Sequence, residues 1–474
     1  MTMRTLITNA EVDGRFVSVE INGDKITALT EDQSPLHGEF DVRIDAAGGA
    51  LLPGLHDHHV HLLAMAARRN GVDVDRLDSP FEFDEALRDA VDRANGEWVR
   101  VAGYDEHRHG PLDRDRLDLI VGDNRVRAQH RSGLAWVLSS AAIDDVLGAR
   151  REGDLPDGIE RSDDGRFTGW FLRLDGWLAE RIGFMAPSLA ELGADMATLG
   201  LTGVTDATPD LGAGRTEVLR QAVVEGALPQ RVVLLGVDES DVVARMTDGS
   251  PWARVGPAKI VIDEVIGLDP VALADVIVMH HSNGRPVAIH AVSRAETVTT
   301  TAAFAIAGIR DGDRIEHGSV LPMDLDPLLA FSGLTVIVQP GLVLERGDFY
   351  LDAVDSNDSA VLHRAASLLE AGIAVSVGSD APVTSIDPWA TIAAASTRRT
   401  RSGHVLGESE KVSPLTALNW YLADPLAPGG PPRNLRVGAV ADLCLLDVSL
   451  AQALSAPDAR HVRMTWVNGR LVHS

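Results

Sequence analysis

The chain has 474 residues, 45% hydrophobic and 24% charged, which is ordinary for a soluble globular protein and too long for one ordinary domain. Its 43 basic against 69 acidic residues give a formal charge of −26, which argues against nucleic acid and anionic membrane surfaces as partners and suits neutral or cationic small molecules. Cys444 is the only cysteine, which excludes an intramolecular disulfide and a cysteine-based zinc site; with no secretion-type apolar run in residues 1–10 and no spanning stretch, a cytoplasmic enzyme is expected.

In chain order, Val17 to Ile21 alternates, Asn22-Gly23-Asp24 turns, and Ile26 to Leu29 runs back as a hairpin. The C-terminus has the same texture. Ala441 to Leu446 is a compact apolar strand, and Met464 to Val467, Asn468-Gly469 and Arg470 to Val472 spell a second hairpin. Residues 1–50 and 430–474 are therefore expected to pair into one small composite β-sandwich, with 51–429 as a single larger domain between them.

That larger domain begins with an apolar strand, Ala50 to Leu55, running into Pro53-Gly54-Leu55-His56-Asp57-His58-His59-Val60-His61. Residues two apart on a strand share a face, so Asp57, His59 and His61 point one way and His56 and His58 the other. Two imidazoles so spaced at a strand end chelate one metal ion and leave a direction open for water. Residues 68–200 then interrupt the first strand-to-strand connection. They are too long for a loop and carry helix signals over Pro80 to Asn95 and Ser188 to Leu199, so they read as an inserted subdomain over the mouth of the domain.

After residue 200, apolar runs alternate with helical stretches such as Pro270 to His281 and Arg294 to Ile309. The strand candidates are Gly203 to Thr208, Arg231 to Val237, Ala258 to Asp263, Pro286 to Ala291, Arg314 to Ser319, Thr335 to Pro340 and Ala374 to Asp380. With the first strand they make eight. The predicted class is α/β, a (β/α)8 TIM barrel, whose chemistry sits at the C-terminal strand ends.

Those ends carry His290, His317 and Asp380, and the fourth strand carries Lys259. Lysine occurs only at Lys25, Lys259 and Lys411, and Lys259 alone lies in an apolar strand. Burial there disfavours the ammonium form, and a neutral amine takes up carbon dioxide as a carbamate able to bridge two divalent ions. His59, His61, the carbamate and Asp380 would hold one ion, and the carbamate, His290 and His317 the other. Two zinc ions are the first expectation; manganese, iron and cobalt suit the same ligands. The plainer alternative is an ion pair of Lys259 with Asp263 or Glu264. Water between two such ions is hydroxide near neutral pH, and Asp380 is suited to pass its proton to the leaving group. Asp206 is a candidate partner behind the ligands.

The pattern Pro53 to His61, Arg314-Ile315-Glu316-His317, and Gly378-Ser379-Asp380-Ala381-Pro382-Val383 resemble motifs of the amidohydrolase superfamily. Gly256-Pro257-Ala258-Lys259, the long insertion, and Arg131-Ser132-Gly133 with Trp136 and Ser139 resemble the branch that includes N-substituted formamide deformylases. The resemblance implies a barrel with a composite β-sandwich, a metal-dependent hydrolase, a carboxylated Lys259 and a homodimer. In that branch a histidine follows Ser-Gly, an asparagine precedes the later serine, and Asp-Gly follows the lysine. Here Leu134, Leu138 and Asp263-Glu264-Val265 stand instead, which points to a more apolar pocket and substrate.

The expected function is hydrolysis of a C–N bond, in an amide, carbamate or cyclic amide, by a metal-bound hydroxide. A mononuclear aromatic deaminase (with His317 catalytic and Lys259 structural), an ester or lactone hydrolase, and a non-catalytic scaffold are the alternatives. Tyr104, His130, Arg131, Trp136, Trp170 and Gln339 are candidate substrate contacts. His107, His109, His280, His281, His363 and His404 read as surface histidines.

Overall fold

The computed structural model describes residues 3–31, 38–69, 71–75, 77–148, 155–182, 187–243, 245, 252–262, 267–359 and 361–474. The chain forms two compact units, one of residues 1–62 with 189–474 and one of residues 63–188.

In the larger unit both chain ends are β-structure. Strands Lys25–Glu31, Arg15–Asn22, Arg4–Val12 and Val42–Asp45 form one sheet in that order, and Arg470–His473, Val462–Val467, Leu443–Leu446 and Leu51–Pro53 form another. One core joins the two: Ile7, Val19, Ile21 and Ile26 pack with Leu443, Leu445 and Trp466. Asn468 and Gly469 take φ of 52° and 70°, the left-handed pair that a two-residue hairpin needs.

The strand expected over Ala50 to Leu55 divides. Leu51–Pro53 pairs with Leu443–Leu445, and a separate strand, β1 (Leu55–Val60), carries the histidines. Gly54 is the point of exchange. Its amide donates to Asp442 O, the next amide donates to Gly200 O, and a Cβ at 54 would collide with Thr202.

Seven further parallel strands follow: β2 (Leu201–Asp206), β3 (Arg231–Leu234), β4 (Ala258–Val261), β5 (Val287–Ala291), β6 (Arg314–His317), β7 (Thr335–Val338) and β8 (Ala374–Val377). β1, β2 and β3 form one sheet with the short strand Arg254–Val255, and β4 to β8 form a second, in sequence order. All six residues of β1 and all six of β2 are buried, as expected of parallel strands covered on both faces. The intervening helices start on clear signals. Asp269 caps Pro270–Ser282, Ser293 and Glu296 make a capping box for Arg294–Ala307, and Asp387 caps Pro388–Thr397. Among the described residues no helix is long and apolar enough to cross a membrane.

The smaller unit holds a six-stranded sheet in the order Ile159–Arg161, Phe167–Leu172, Ala135–Leu138, Val126–His130, Val99–Tyr104, Val72–Asp73. Phe83, Leu87, Val101, Tyr104, Leu117 and Val137 belong to one of its cores, and Trp136, Leu138, Ile143, Phe171 and Leu178 to the other. The inserted region predicted to end at 200 ends at 188. The last helix assigned to it, Ala190–Thr198, buries Leu192, Met196 and Ala197 within the larger unit and accepts a hydrogen bond from Thr465 Oγ1 at Ala197 O, 2.7 Å.

Candidate metal centre

β1 presents its side chains alternately. His56 Nε2 meets Thr205 Oγ1 at 2.9 Å and His58 Nε2 meets Trp420 O at 3.1 Å, on one side of the strand. Asp57 accepts from the amides of His59 (3.0 Å) and Ser379 (3.1 Å), lacing β1 to the turn after β8. Gly378 lets that turn close in, since a Cβ there would strike the His59 backbone. Asp380 then donates its amide to His59 O at 2.8 Å.

Two non-glycine residues take left-handed backbone at this point, His317 (φ 74°) and Asp380 (φ 57°). Such conformations cost about 1–2 kcal/mol each in a non-glycine residue. At His317 the kink overrides strand alternation, so Glu316 and His317, sequence neighbours, both reach His59. Glu316 Oε2 is hydrogen-bonded to His59 Nδ1, and the His317 ring centroid lies 4.8 Å from that of His59.

Ligand atoms of His59, His317 and Asp380 lie within 4.8 Å of one another. His59 Nε2 is buried, has no hydrogen-bond partner, and stands 3.5 Å from Asp380 Oδ1. His61 Nε2 approaches the same oxygen at 3.1 Å, and His317 Nδ1 lies 4.0 Å from Asp380 Oδ2. The His290 ring is edge-on to His317, centroids 4.6 Å apart. Lys259 Nζ is sealed from solvent without a hydrogen bond, within the electrostatic reach of Glu316 and Asp380. Asp263 and Glu264, its alternative partners, lie outside the described residues.

Behind these groups stand polar braces. Thr208 Oγ1 meets His61 Nδ1 at 3.0 Å, and Gln339 Oε1 meets His317 Nδ1 at 3.1 Å while its amide nitrogen donates to Ile337 O. Asp206 accepts from the amides of Leu62 and Thr208, so it shapes the chain around His61 without touching it. Arg314 Nε forms an ion pair with Glu316 Oε1 at 2.5 Å.

Burial dominates the electrostatics. It holds His59 and His317 below the ordinary imidazole range and takes His290 down to about 3, each reinforced by neighbouring positive groups that include Lys259. Burial also lowers Lys259, against the pull of Glu316 and Asp380. It opposes ionisation of Glu316, but the Arg314 guanidinium and His59 hold that carboxyl well below its usual range. The His59–Glu316 contact is therefore a neutral imidazole N–H donating to a carboxylate. For Asp380, burial is outweighed by His61, His317 and His59, and the group stays ionised at neutral pH. The donor set is neutral imidazole, carboxylate and a neutral-prone amine, with one imidazole nitrogen orphaned, and it suits a divalent ion.

The structure thus brings His59, His61, Lys259, His290, His317, Asp380 and Gln339 to one place. Sequence reasoning passed over Glu316, Arg314 and Thr208. Arg314 and Glu316 stand directly before a candidate ligand histidine, but strand alternation assigns both to the face opposite His317. The other candidate contacts belong to the smaller unit. Tyr104 is buried with its hydroxyl on Gly110 O, Trp136 Nε1 donates to Asp175, and Trp170 Nε1 donates to Leu112 O. His130 bridges Glu106 and Ser132, and Arg131 pairs with Asp105.

Three expectations need correction. His109 is not at the surface but buried, stacked on Phe83 and bonded to the Asp105 amide and Leu77 O. His363 is also buried, because it follows Val361 and Leu362 into an apolar cluster, and both its ring nitrogens lack partners. Leu138, read as lining a pocket, is a fully buried core residue facing helix Ser140–Leu147; Leu134 is about half exposed.

A model of the amidohydrolase family matches residues 43–473. The N-substituted formamide deformylase of Arthrobacter pascens is 26% identical over 91% of this chain and 90% of its own length. The putative amidohydrolase YtcJ of Bacillus subtilis (strain 168) is 23% identical over 80% of this chain and 79% of its own. An uncharacterized metal-dependent hydrolase from Pyrococcus horikoshii OT3 superposes with a TM-score of 0.74 at 18% identity, covering 97% of this chain and 98% of that one, a likeness of fold. The chain belongs to the amidohydrolase family and is a hydrolase acting on carbon–nitrogen bonds.

Proposed function

We propose that the chain hydrolyses a C–N bond in a small, neutral amide, carbamate or cyclic amide at a binuclear divalent-metal site. The observation that carries this reading is the pair of sealed, unpartnered nitrogens, His59 Nε2 and Lys259 Nζ, beside the Asp380 carboxylate. Uncompensated buried polar atoms are expensive, and a cation answers the need of the first. For the second, the lowered pKa favours a free amine that adds to carbon dioxide: an N–C bond forms, a proton leaves to solvent, and the product is an anionic carbamate. His59, His61, Asp380 and the Lys259 carbamate would hold one ion, and the carbamate, His290 and His317 the other, with zinc the first choice.

Such ions make bound water acidic and polarise a carbonyl. The protein's own part begins with Asp380, ionised and beside the ligand imidazoles. Its Oδ1 takes the proton of the attacking water and delivers it to the departing nitrogen, so the leaving group departs as neutral amine. Glu316, Gln339 and Thr208 fix the orientation of His59, His317 and His61. We read β1 to β8 as one eight-stranded barrel. Lys259 N donating to Leu235 O supports one seam between the two sheets, and the Val60–Ala381 bridge supports the other. The deformylase relative and the net negative charge favour neutral amides as substrates.

Metal content per chain, measured on untagged protein purified without chelators, tests the reading. It expects about two divalent ions, falling to about one in Lys259→Ala. One ion unaffected by that change points to a mononuclear deaminase, and none after incubation with zinc or manganese plus bicarbonate points to a scaffold.

A further inference from the structure

The smaller unit places two arginines side by side, with no acidic group among the described residues in an ion pair with either. Arg100 and Arg127 are register partners on the parallel strands Val99–Tyr104 and Val126–His130, so their side chains leave the same face of the sheet. Trp136 shares that face, because it pairs with Gln129, two residues from Arg127. The indole receives both guanidinium groups, with Cζ of Arg100 5.4 Å and Cζ of Arg127 5.0 Å from the ring centroid.

Their hydrogen bonding is poor. The Nε–H of each is sealed from solvent and has no acceptor. Arg100 donates from Nη2 to Gln129 Oε1 at 2.9 Å, while Arg127 donates to no described residue. Among the described residues neither makes an ion pair within 4.0 Å, in a chain with 69 acidic side chains. The carboxylate that acts on both is Asp175, whose Oδ1 accepts from Trp136 Nε1 at 2.8 Å. Arg68, also nearby, is taken up by Asp73 and Asp75. Stacking on an indole eases the burial of a guanidinium but neutralises nothing. Burial and mutual repulsion together take Arg100 down to about 10.

Two guanidinium groups share the single carboxylate of Asp175, which the Trp136 indole N–H also occupies. We infer that Arg100 and Arg127, backed by Trp136, form a binding site for a small carboxylate anion. The guanidinium fork matches a carboxylate in shape, and the partly exposed Arg127 keeps both Nη groups free to donate to one. A carboxylate meets the fork with two coplanar oxygens and brings one negative charge into a partly buried site, whereas a phosphate dianion brings two.

The test is thermal unfolding of the full chain in chloride-poor buffer, with sodium acetate, phosphate or chloride added at matched ionic strength. Acetate is expected to raise the melting temperature saturably, by about 1–2 °C at ten times its Kd, and more than chloride or phosphate. Arg127→Gln and Arg100→Gln should each abolish that increment. In the chloride-poor buffer Arg127→Met should melt at or above the wild type, because it removes an unpaired, half-buried charge. Equal shifts from chloride and acetate, a larger shift from phosphate, or an acetate shift that survives in both glutamine variants would each overturn the assignment. So would an Arg127→Met protein melting several degrees below wild type, the mark of a purely structural arginine–tryptophan clamp.

Discussion

Glu316 Oε2 accepts a hydrogen bond from His59 Nδ1, and both side chains are fully buried. The carboxylate fixes the imidazole as the Nδ1–H tautomer, which leaves Nε2 as a lone-pair donor aimed at Asp380. Glu316→Gln keeps the shape but offers an acceptor without charge, and it strands Arg314 as a buried cation. Metal affinity of the variant, titrated with zinc against a competing chelator, is expected to fall about 10- to 100-fold. An unchanged affinity would show that His59 needs no such anchor.

Asp380→Asn separates proton transfer from substrate binding. The carboxylate is ionised at neutral pH and lies against His61, His59 and His317. Turnover of an amide substrate is expected to fall by about 10²–10⁴-fold with a small change in KM. A loss confined to KM would instead make Asp380 a substrate-binding group.

Much of this arrangement was legible because it rests on local rules. The histidine run after Pro53-Gly54 alternates as a strand must, and eight apolar runs followed by polar ends announced where ligands would gather. Glu316 was not legible, since strand alternation sends the neighbour of an inward histidine outward. Only the left-handed backbone at His317, eased by Gly318 after it, brings both inward. The division of the strand at Gly54 escaped for a similar reason. Leu51 and Leu55 look alike in sequence, and their separate sheets are decided by Asp442 and Gly200, far away in the chain. His109 and His363 show the reverse error. A polar residue type said surface, and tertiary packing overruled it.

Cys444 offers a check on the terminal sheets. It is fully buried, its Sγ lies where a Cβ on Gly200 would intrude at 2.6 Å, and burial pushes its thiol up to about 12. At pH 8 the native chain is expected to show no fast-reacting thiol toward an aromatic disulfide reagent, and one equivalent in denaturant. Reaction of the native protein within seconds would mean that the sheet holding Leu443–Leu446 opens readily.

His363 sets an acid limit on stability. It is buried among apolar neighbours, and desolvation, reinforced by the Arg398 charge, takes its imidazole down to about 3 from an ordinary 6.5. Folding therefore excludes a proton that the unfolded chain binds. Its contribution is fully present above pH 6.5, is lost progressively as pH falls, and levels off only below about 3. At pH 4.5 the expected loss relative to pH 7.5 is about 2–3 kcal/mol. His363→Asn removes the titration and tolerates the left-handed backbone at this position (φ 49°). The variant should start less stable at pH 7.5, because it trims a packed side chain, yet close the gap on the wild type as pH falls to 4.5. Urea unfolding of both proteins across that range measures the difference. A gap that stays constant with pH would place a charged or solvated imidazole at 363, contrary to its sealed surroundings.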